Sequence, residues 1–89
     1  MILEELVLSR ADEESRAELI DSLKAAADAA RSIAGRNQER RRKDAMDRAQ
    51  RLDRIVQFLE NAHLAPASDP ADQALCDQVR EKLKARGQW

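Results

Sequence analysis

The amino-acid sequence predicts an all-α fold, and three features of its composition lead to that prediction. Ala, Leu, Glu, Arg and Gln, all good helix formers, dominate the 89 residues. Residues that β-sheets favour are scarce: the chain has one Trp, one Phe, no Tyr and no Thr. Two Gly and two Pro leave few positions for turns. A chain of this length forms one small domain, so we expect a single helical domain over residues 1–89.

The first predicted helix spans about residues 10–34. Ser9 is a suitable N-cap, and the acidic residues that follow it suit the positive N-terminal end of a helix dipole. Apolar residues recur every three or four positions over 19–34, which is the spacing of one helix face. Gly35 then favours a helix end. The apolar residues before Ser9 are too few to stand alone, and we expect them to dock as a helical turn or two.

The second and third predicted helices span about residues 38–63 and 70–86. Apolar positions 45, 49, 52, 56 and 59 alternate in steps of four and three, which is the heptad spacing of a coiled coil. Asp69 is a suitable N-cap for the third helix, with Pro70 at its first position and Gly87 after its last turn. The apolar side of that helix carries Leu75, Val79 and Leu83.

The simplest arrangement is an antiparallel helical hairpin of the first two helices, with the shorter third helix packed on it. The alternative is one long helix through Gly35, because Ala34 and Ala45 lie three helical turns apart and keep the stripe in register. The apolar N-terminus, the third helix and Trp89 exceed what two thin helices can cover. In one model, dimerisation covers these segments and completes the core. In the other, the segments themselves complete the core of a monomer.

The net charge of −1 conceals blocks of opposite sign along the chain. Residues 1–30 carry a net charge of −5 and residues 31–54 carry +5, followed by −4 over 55–79 and +3 over 80–89. Such blocks either satisfy one another within the fold or select a charged partner. The total close to zero argues against unspecific binding of nucleic acid.

The densest basic cluster lies at the expected start of the second helix and is the main candidate for partner binding. Cations oppose the helix dipole there, so the cluster invites an acidic protein or a phosphate. The alternative is a solvated face that faces the acidic first helix, with pairs at i,i+4 available between Asp44 and Arg48 and between Asp47 and Arg51. No aromatic residue is interleaved for base stacking, which places nucleic acid second to an acidic protein. The cluster comprises Arg36, Arg40, Arg41, Arg42 and Lys43.

Phe58 and Trp89 complete the predicted partner-binding residues. Phe58 lies one step off the heptad stripe, on its flank, and Trp is enriched as an anchor at protein interfaces. The alternative for Phe58 is a core position beneath the third helix, where its truncation would destabilise the fold as much as that of Leu59.

The sequence predicts no enzyme, and no catalytic, cofactor-binding or metal-binding residue. Cys76 and His63 are each the single residue of their type, so neither a disulfide nor a zinc site is expected. No apolar run is long enough to cross a bilayer, and no signal peptide opens the chain, so we expect a cytoplasmic protein without membrane contact. Arg outnumbers Lys twelve to four, a bias typical of GC-rich bacterial or phage genes.

Three segments of the first 63 residues resemble the small helical-hairpin co-chaperones of type III secretion needle proteins. They are the opening Leu3-Glu4-Glu5-Leu6, the Leu/Ala-striped residues 19–30, and residues 45–55 of the second helix. The resemblance implies a non-enzymatic protein that pairs with another chaperone to hold an aggregation-prone subunit. The chain departs from that family in lacking a Tyr in the polar turn and in having the third helix.

Taken together, these patterns predict a small protein-interaction module, such as an adaptor, a chaperone or an inhibitor. It would present an amphipathic helical face to a protein partner, which the basic cluster predicts to be acidic, and it would self-associate. The alternative is a nucleic-acid-associated regulator that uses the basic segment 36–54.

Overall fold

The computed structural model describes residues 2–36, 39–61 and 69–89, and within them it contains four α-helices and no strand. The helices are α1 (Leu3–Glu13), α2 (Arg16–Arg36), α3 (Glu39–Glu60) and α4 (Pro70–Ala85). The predicted all-α class is confirmed. Over the same residues, no helix has both the length and the apolar character needed to cross a membrane.

The N-terminal region differs most from the predicted helices. One helix over 10–34 with Ser9 as its N-cap is wrong, because Ser9 lies inside α1 and the helix breaks at residues 14 and 15. Ser15 caps α2 instead: its hydroxyl accepts from the Glu18 N–H at 3.2 Å, and the Glu18 carboxylate accepts from the Ser15 N–H at 3.1 Å. This reciprocal pair is a capping box, which satisfies two backbone donors at once.

The other two helices lie close to their predicted ranges of 38–63 and 70–86. The second, α3, ends at Glu60, and His63 lies outside the described residues. The Asp69 carboxylate accepts from the Ala71 N–H at 2.8 Å and so caps α4, as predicted. At the other end Gly87 has a φ of 73°, which is the left-handed conformation that closes a Schellman motif.

The longest interface in the molecule lies between α2 and α3, which run in opposite directions. Lys24 pairs with Glu60 at 3.3 Å, and Arg31 with Asp53 at 2.9 Å, so rising numbers on α2 meet falling numbers on α3. One straight helix would separate residues 31 and 53 by about 33 Å. At the Ala-rich end of the interface the buried residues are small, which allows the backbones to approach closely; they are Ala30, Ala34 and Ala49.

The hydrophobic core lies at one end of the α2–α3 pair, where α1 and α4 pack against it. These two helices run in the same direction, because Glu4 and Asp72 both bind Arg51 near their starts, and Asp12 binds Lys82 near their ends. Much of the apolar surface of the N-terminal segment and the third helix, which exceeds what two helices can cover, is therefore buried within one chain. The largest fully buried apolar side chains are those of Val7, Leu19, Leu23, Leu52, Ile55, Leu59, Leu75, Val79 and Leu83.

The other end of the α2–α3 pair extends beyond this core, in a molecule that measures 42 × 25 × 20 Å. We call it the distal arm and define it as residues 26–36 of α2 and 41–48 of α3. The core cluster reaches only to Ala27 on α2 and begins at Leu52 on α3. Among the described residues, the exposed large apolar side chains all lie on or beside this arm: Ile2, Ile33 and Met46.

Candidate interaction surface

An apolar groove opens on the distal arm between α2 and α3, with a volume of about 220 Å³. The side chain of Ile33 is 52% exposed there, although such residues are usually buried. The volume is below the roughly 300–1,000 Å³ of small-molecule sites, whereas a row of small residues suits the ridge of another helix. The groove is lined by Ala26, Ala29, Ala30, Ile33, Ala45 and Arg48.

The end of the distal arm carries the exposed cations of the predicted basic cluster. Within the described part of the chain, Arg36, Arg41 and Lys43 are exposed and make no ion pair, and we call these three the basic tip. Arg42 is also exposed, but its Nε donates to the carbonyl of Ala34 at 3.2 Å and so caps the last turn of α2. The side chain of Arg40 lies outside the described residues.

The acidic residues of α1 and α2 do not neutralise this tip. Over the described ranges, their ion pairs go to three bases that lie outside the basic tip: Arg31, Arg51 and Lys82. The expected pairing of Asp47 with Arg51 is also not seen, because Arg51 binds Glu4 and Asp72 instead. Within the described residues the basic tip therefore makes no internal ion pair, and both a solvated face and a partner contact stay predictions for it.

The structure brings Phe58 and Trp89 together at the opposite end of the molecule from the basic tip. Their ring centroids lie 5.5 Å apart, and the guanidinium of Arg16 lies 4.8 Å from the Trp89 ring, within cation–π distance. Phe58 is only 3% exposed, whereas Trp89 is half-buried. The burial of Phe58 favours the core alternative, and a partner contact by either residue stays a prediction.

A buried carboxylate, which the sequence analysis did not single out, joins three helices on the flank of the core. Asp72 has no exposed surface, and it accepts from Arg51 Nε at 2.8 Å and from Arg54 Nη2 at 2.7 Å. Arg51 Nη2 also donates to Glu4 at 2.6 Å, which adds α1 to the cluster. The position of Asp72 in the first turn of α4 was readable from the sequence, but its distant partners on α3 were not.

The charges of this cluster are satisfied within it. Burial raises the pKa of Asp72, but the hydrogen bonds from Arg51 and Arg54 outweigh burial and hold that pKa below its ordinary 3.8. Burial lowers the pKa of Arg51, and its hydrogen bonds to Glu4 and Asp72 raise it by more. The hydrogen bond from Arg51 likewise lowers the pKa of Glu4. These shifts favour the ionised forms, as expected of a structural cluster.

Among the described residues, Cys76 and the remaining cleft lack the features of a reactive site. Burial raises the pKa of the Cys76 thiol to about 11, so little of the nucleophilic thiolate exists at neutral pH. In the ranges that the structure describes, no three His, Cys, Asp or Glu side chains are grouped to hold a metal ion. A cleft of about 350 Å³ beside the start of α1 has charged side chains at five of its seven lining positions, unlike the mostly apolar pockets of small molecules.

No family model matches the chain, and comparisons with curated proteins and with solved structures give no significant match.

Proposed function

We propose that this chain is a small, non-enzymatic protein-interaction module of the adaptor, chaperone or inhibitor type, in which an α2–α3 hairpin presents the distal arm to a protein partner. The observation that carries the proposal is the difference between the two ends of the α2–α3 pair. At one end α1 and α4 cover the pair, and at the other an apolar groove lies next to the basic tip, whose cations make no ion pair in the described residues. A role as a co-chaperone, like that of the type III secretion proteins that the sequence resembles, is one form of this proposal.

Homodimerisation is a second candidate, supported by the exposure of Ile33 and Met46 on the same arm. A second copy packed on the groove would remove the exposed surface of Ile33 from water, whereas Met46 lies outside the groove lining. Because the core already closes within one chain, such a dimer would add to the fold without being needed for it. Sedimentation equilibrium at micromolar concentrations separates a dimer from the 10.1 kDa monomer.

The alternative of a nucleic-acid-associated regulator that uses segment 36–54 is supported by the exposed cations at the start of that segment, whereas Arg51 and Arg54 near its end pair with Asp72. Asp44 and Asp47 lie among those cations, and no aromatic residue in that segment offers a stacking surface. Phosphate binding would weaken log-linearly with salt concentration, because each phosphate contact releases counterions. The affinity of a partner that binds through an apolar groove would change little over the same range of salt concentration.

Affinity capture from the native host tests the proposal, with the full-length chain as bait and quantitative mass spectrometry as the readout. The variant is Lys43→Glu at the basic tip, and the matched control is Lys84→Glu, an exposed lysine on α4 without an ion pair in the described residues. We expect the wild type and Lys84→Glu to capture the same protein in equal amounts, and Lys43→Glu to fail to capture it. Nuclease treatment should leave this protein bound to the wild type. Loss of that protein on nuclease treatment would instead support the nucleic-acid alternative.

A further inference from the structure

We infer that the distal-arm groove receives one short, acidic α-helix of a different protein, with the acidic residues of that helix placed against the basic tip. This inference rests on the proposed function, because it names the partner of that surface. Four observations carry it: the continuity of the groove with the core, its length, the size of its residues, and the charge at its end.

The groove continues the face on which the core is built. Ala26 packs against the core cluster and also lines the groove, so the two surfaces meet at that residue. An apolar element placed in the groove would therefore extend the existing core toward the end of the arm. The burial of Ile33, now 52% exposed, would supply part of the free energy of binding.

The distance from Ala26 in the groove to Arg36 in the basic tip sets the length of the occupant. The α2 segment 26–36 spans about 16 Å at a rise of about 1.5 Å per residue. A helix of three turns, or about 11 residues, covers that distance.

Small side chains make a helix the fitting element. Ala26, Ala29 and Ala45 keep the groove shallow, so a helix axis can approach to the lower part of the usual range of about 8–10 Å. The occupant would contact the groove through apolar residues spaced by three and four positions, as in other complexes in which a helix lies in a groove.

Charge determines which helix fits. Arg36 and Arg41 lie one helical turn beyond the groove residues Ile33 and Ala45, on the same side of their helices. Both are exposed and without ion pairs in the described residues, so Asp or Glu in the facing turn would gain charge-assisted contacts. A basic helix would instead place like charges together, which is costly. A second copy of this chain would bring a second basic tip, so charge favours a different, acidic partner.

A selection experiment tests this inference without knowledge of the natural partner. A phage library displays helix-forming peptides of about 14 residues, or four turns, and the full-length chain is the bait. A counter-selection step removes the peptides that also bind the Ala29→Arg variant. Ala29 is exposed and lines the groove, so the larger arginine side chain fills the groove in this variant. The matched control is Ala74→Arg, which makes the same change at an exposed alanine of α4 outside the groove.

We expect the enriched peptides to be acidic, with Asp or Glu grouped in one end turn and apolar residues spaced by three and four positions. Fluorescence anisotropy should show equal affinity for the wild type and Ala74→Arg, and affinity weaker by about tenfold or more for Ala29→Arg and Arg41→Glu. Circular dichroism spectra of all four proteins should agree, which excludes misfolding as the cause.

The other results overturn the inference. The selection could enrich neutral or basic helices, or it could enrich no peptide that prefers the wild type to Ala29→Arg. Either result would show that the groove does not select an acidic helix. A dimer of the free chain that Ala29→Arg dissociates would assign the groove to a second copy. The proposed function itself fails separately, if affinity capture also yields no protein that depends on Lys43.

Discussion

At the scale of single residues, three arginines cap the C-terminal turns of helices to which they do not belong. Arg16 donates to the carbonyl of Leu59, Arg42 to that of Ala34, and Arg86 to that of Ala11. The last carbonyls of a helix have no partner within it and carry partial negative charge, which a guanidinium satisfies. The pairs are separated by 43, 8 and 75 residues, so local sequence patterns could not reveal them.

Asp72→Asn should destabilise the fold, because it leaves Arg51 and Arg54 without their shared carboxylate. We expect a loss of about 2–3 kcal/mol, less than for a fully buried pair, because both guanidiniums keep some contact with solvent. Urea unfolding followed by circular dichroism measures this. Asp77→Asn on the same helix is the control, since the half-exposed pair of Asp77 with Arg80 should contribute under about 1 kcal/mol. Equal losses for the two variants would contradict a special role for Asp72.

The same cluster predicts how stability depends on pH. The folded-state pKa values of Asp72 and Glu4 lie below the ordinary values, so their stabilisation is complete above about pH 5 and is lost as the pH falls through the folded values. Urea midpoints measured from pH 7 downward should therefore fall for the wild type and fall less for Asp72→Asn. Parallel curves for the two proteins would remove the cluster as the source of acid sensitivity.

Cys76 provides a probe of whether the core opens. The thiol is buried with a pKa of about 11, so a thiol reagent at neutral pH should label it only when the chain unfolds. We expect labelling about 1,000-fold or more slower than in the same chain unfolded by urea, in line with the folding equilibria of small domains. Because the folded pKa is raised, this group should also lower stability as the pH rises from about 9 to 11. Fast labelling of the native protein would show that α4 does not stay packed.

At the scale of helices, prediction succeeded where one strong local signal marked a boundary, as Asp69 and Pro70 did for α4. It failed between α1 and α2, where two signals competed. An acidic run follows Ser9 and resembles a first helical turn, but only Ser15 has Glu three residues later to close a capping box. The break also depends on the docking of α1 against α4, which no local pattern encodes.

Two serine variants test this boundary directly. Ser15→Ala should cost about 1 kcal/mol, because the Glu18 N–H loses the hydroxyl that caps it. Ser9→Ala should be neutral or slightly stabilising, since Ser9 is exposed inside α1 and Ala is the better helix former. Thermal and urea unfolding give both values. A larger cost for Ser9→Ala would restore the helix start that the sequence first indicated.

The two assignments of Phe58 differ in the effect of truncation. If the ring belongs to the core, Phe58→Ala should cost about 3–5 kcal/mol, as much as Leu59→Ala, because both side chains are buried. Met46→Ala is the control, since its side chain is 37% exposed and its loss should change stability by roughly 0.5 kcal/mol. A nearly silent Phe58→Ala that removed binding would instead support the interface assignment.

At the scale of the whole molecule, the charge blocks show what composition alone leaves undetermined. Blocks of opposite sign predicted either internal pairing or partner selection, and the fold pairs only some of these bases internally. Arg51 and Arg54 of the basic block turn inward to Asp72, whereas Arg36, Arg41 and Lys43 of the same block remain exposed. The choice depends on which bases lie beside α4 and which lie on the distal arm, and the tertiary packing of α1 and α4 decides that.

Reversal of charge at the basic tip should therefore separate function from folding. In Arg41→Glu combined with Lys43→Glu, neither position contributes an ion pair in the described residues, and acidic residues suit the start of α3 better than basic ones. We expect helicity to stay unchanged and stability to change by less than about 0.5 kcal/mol, while binding of an acidic partner is lost. Arg42 is left intact because it caps α2, and Arg42→Ala should cost about 1 kcal/mol by itself. If the double variant unfolds instead, the tip holds the fold together, and its role in binding loses its support.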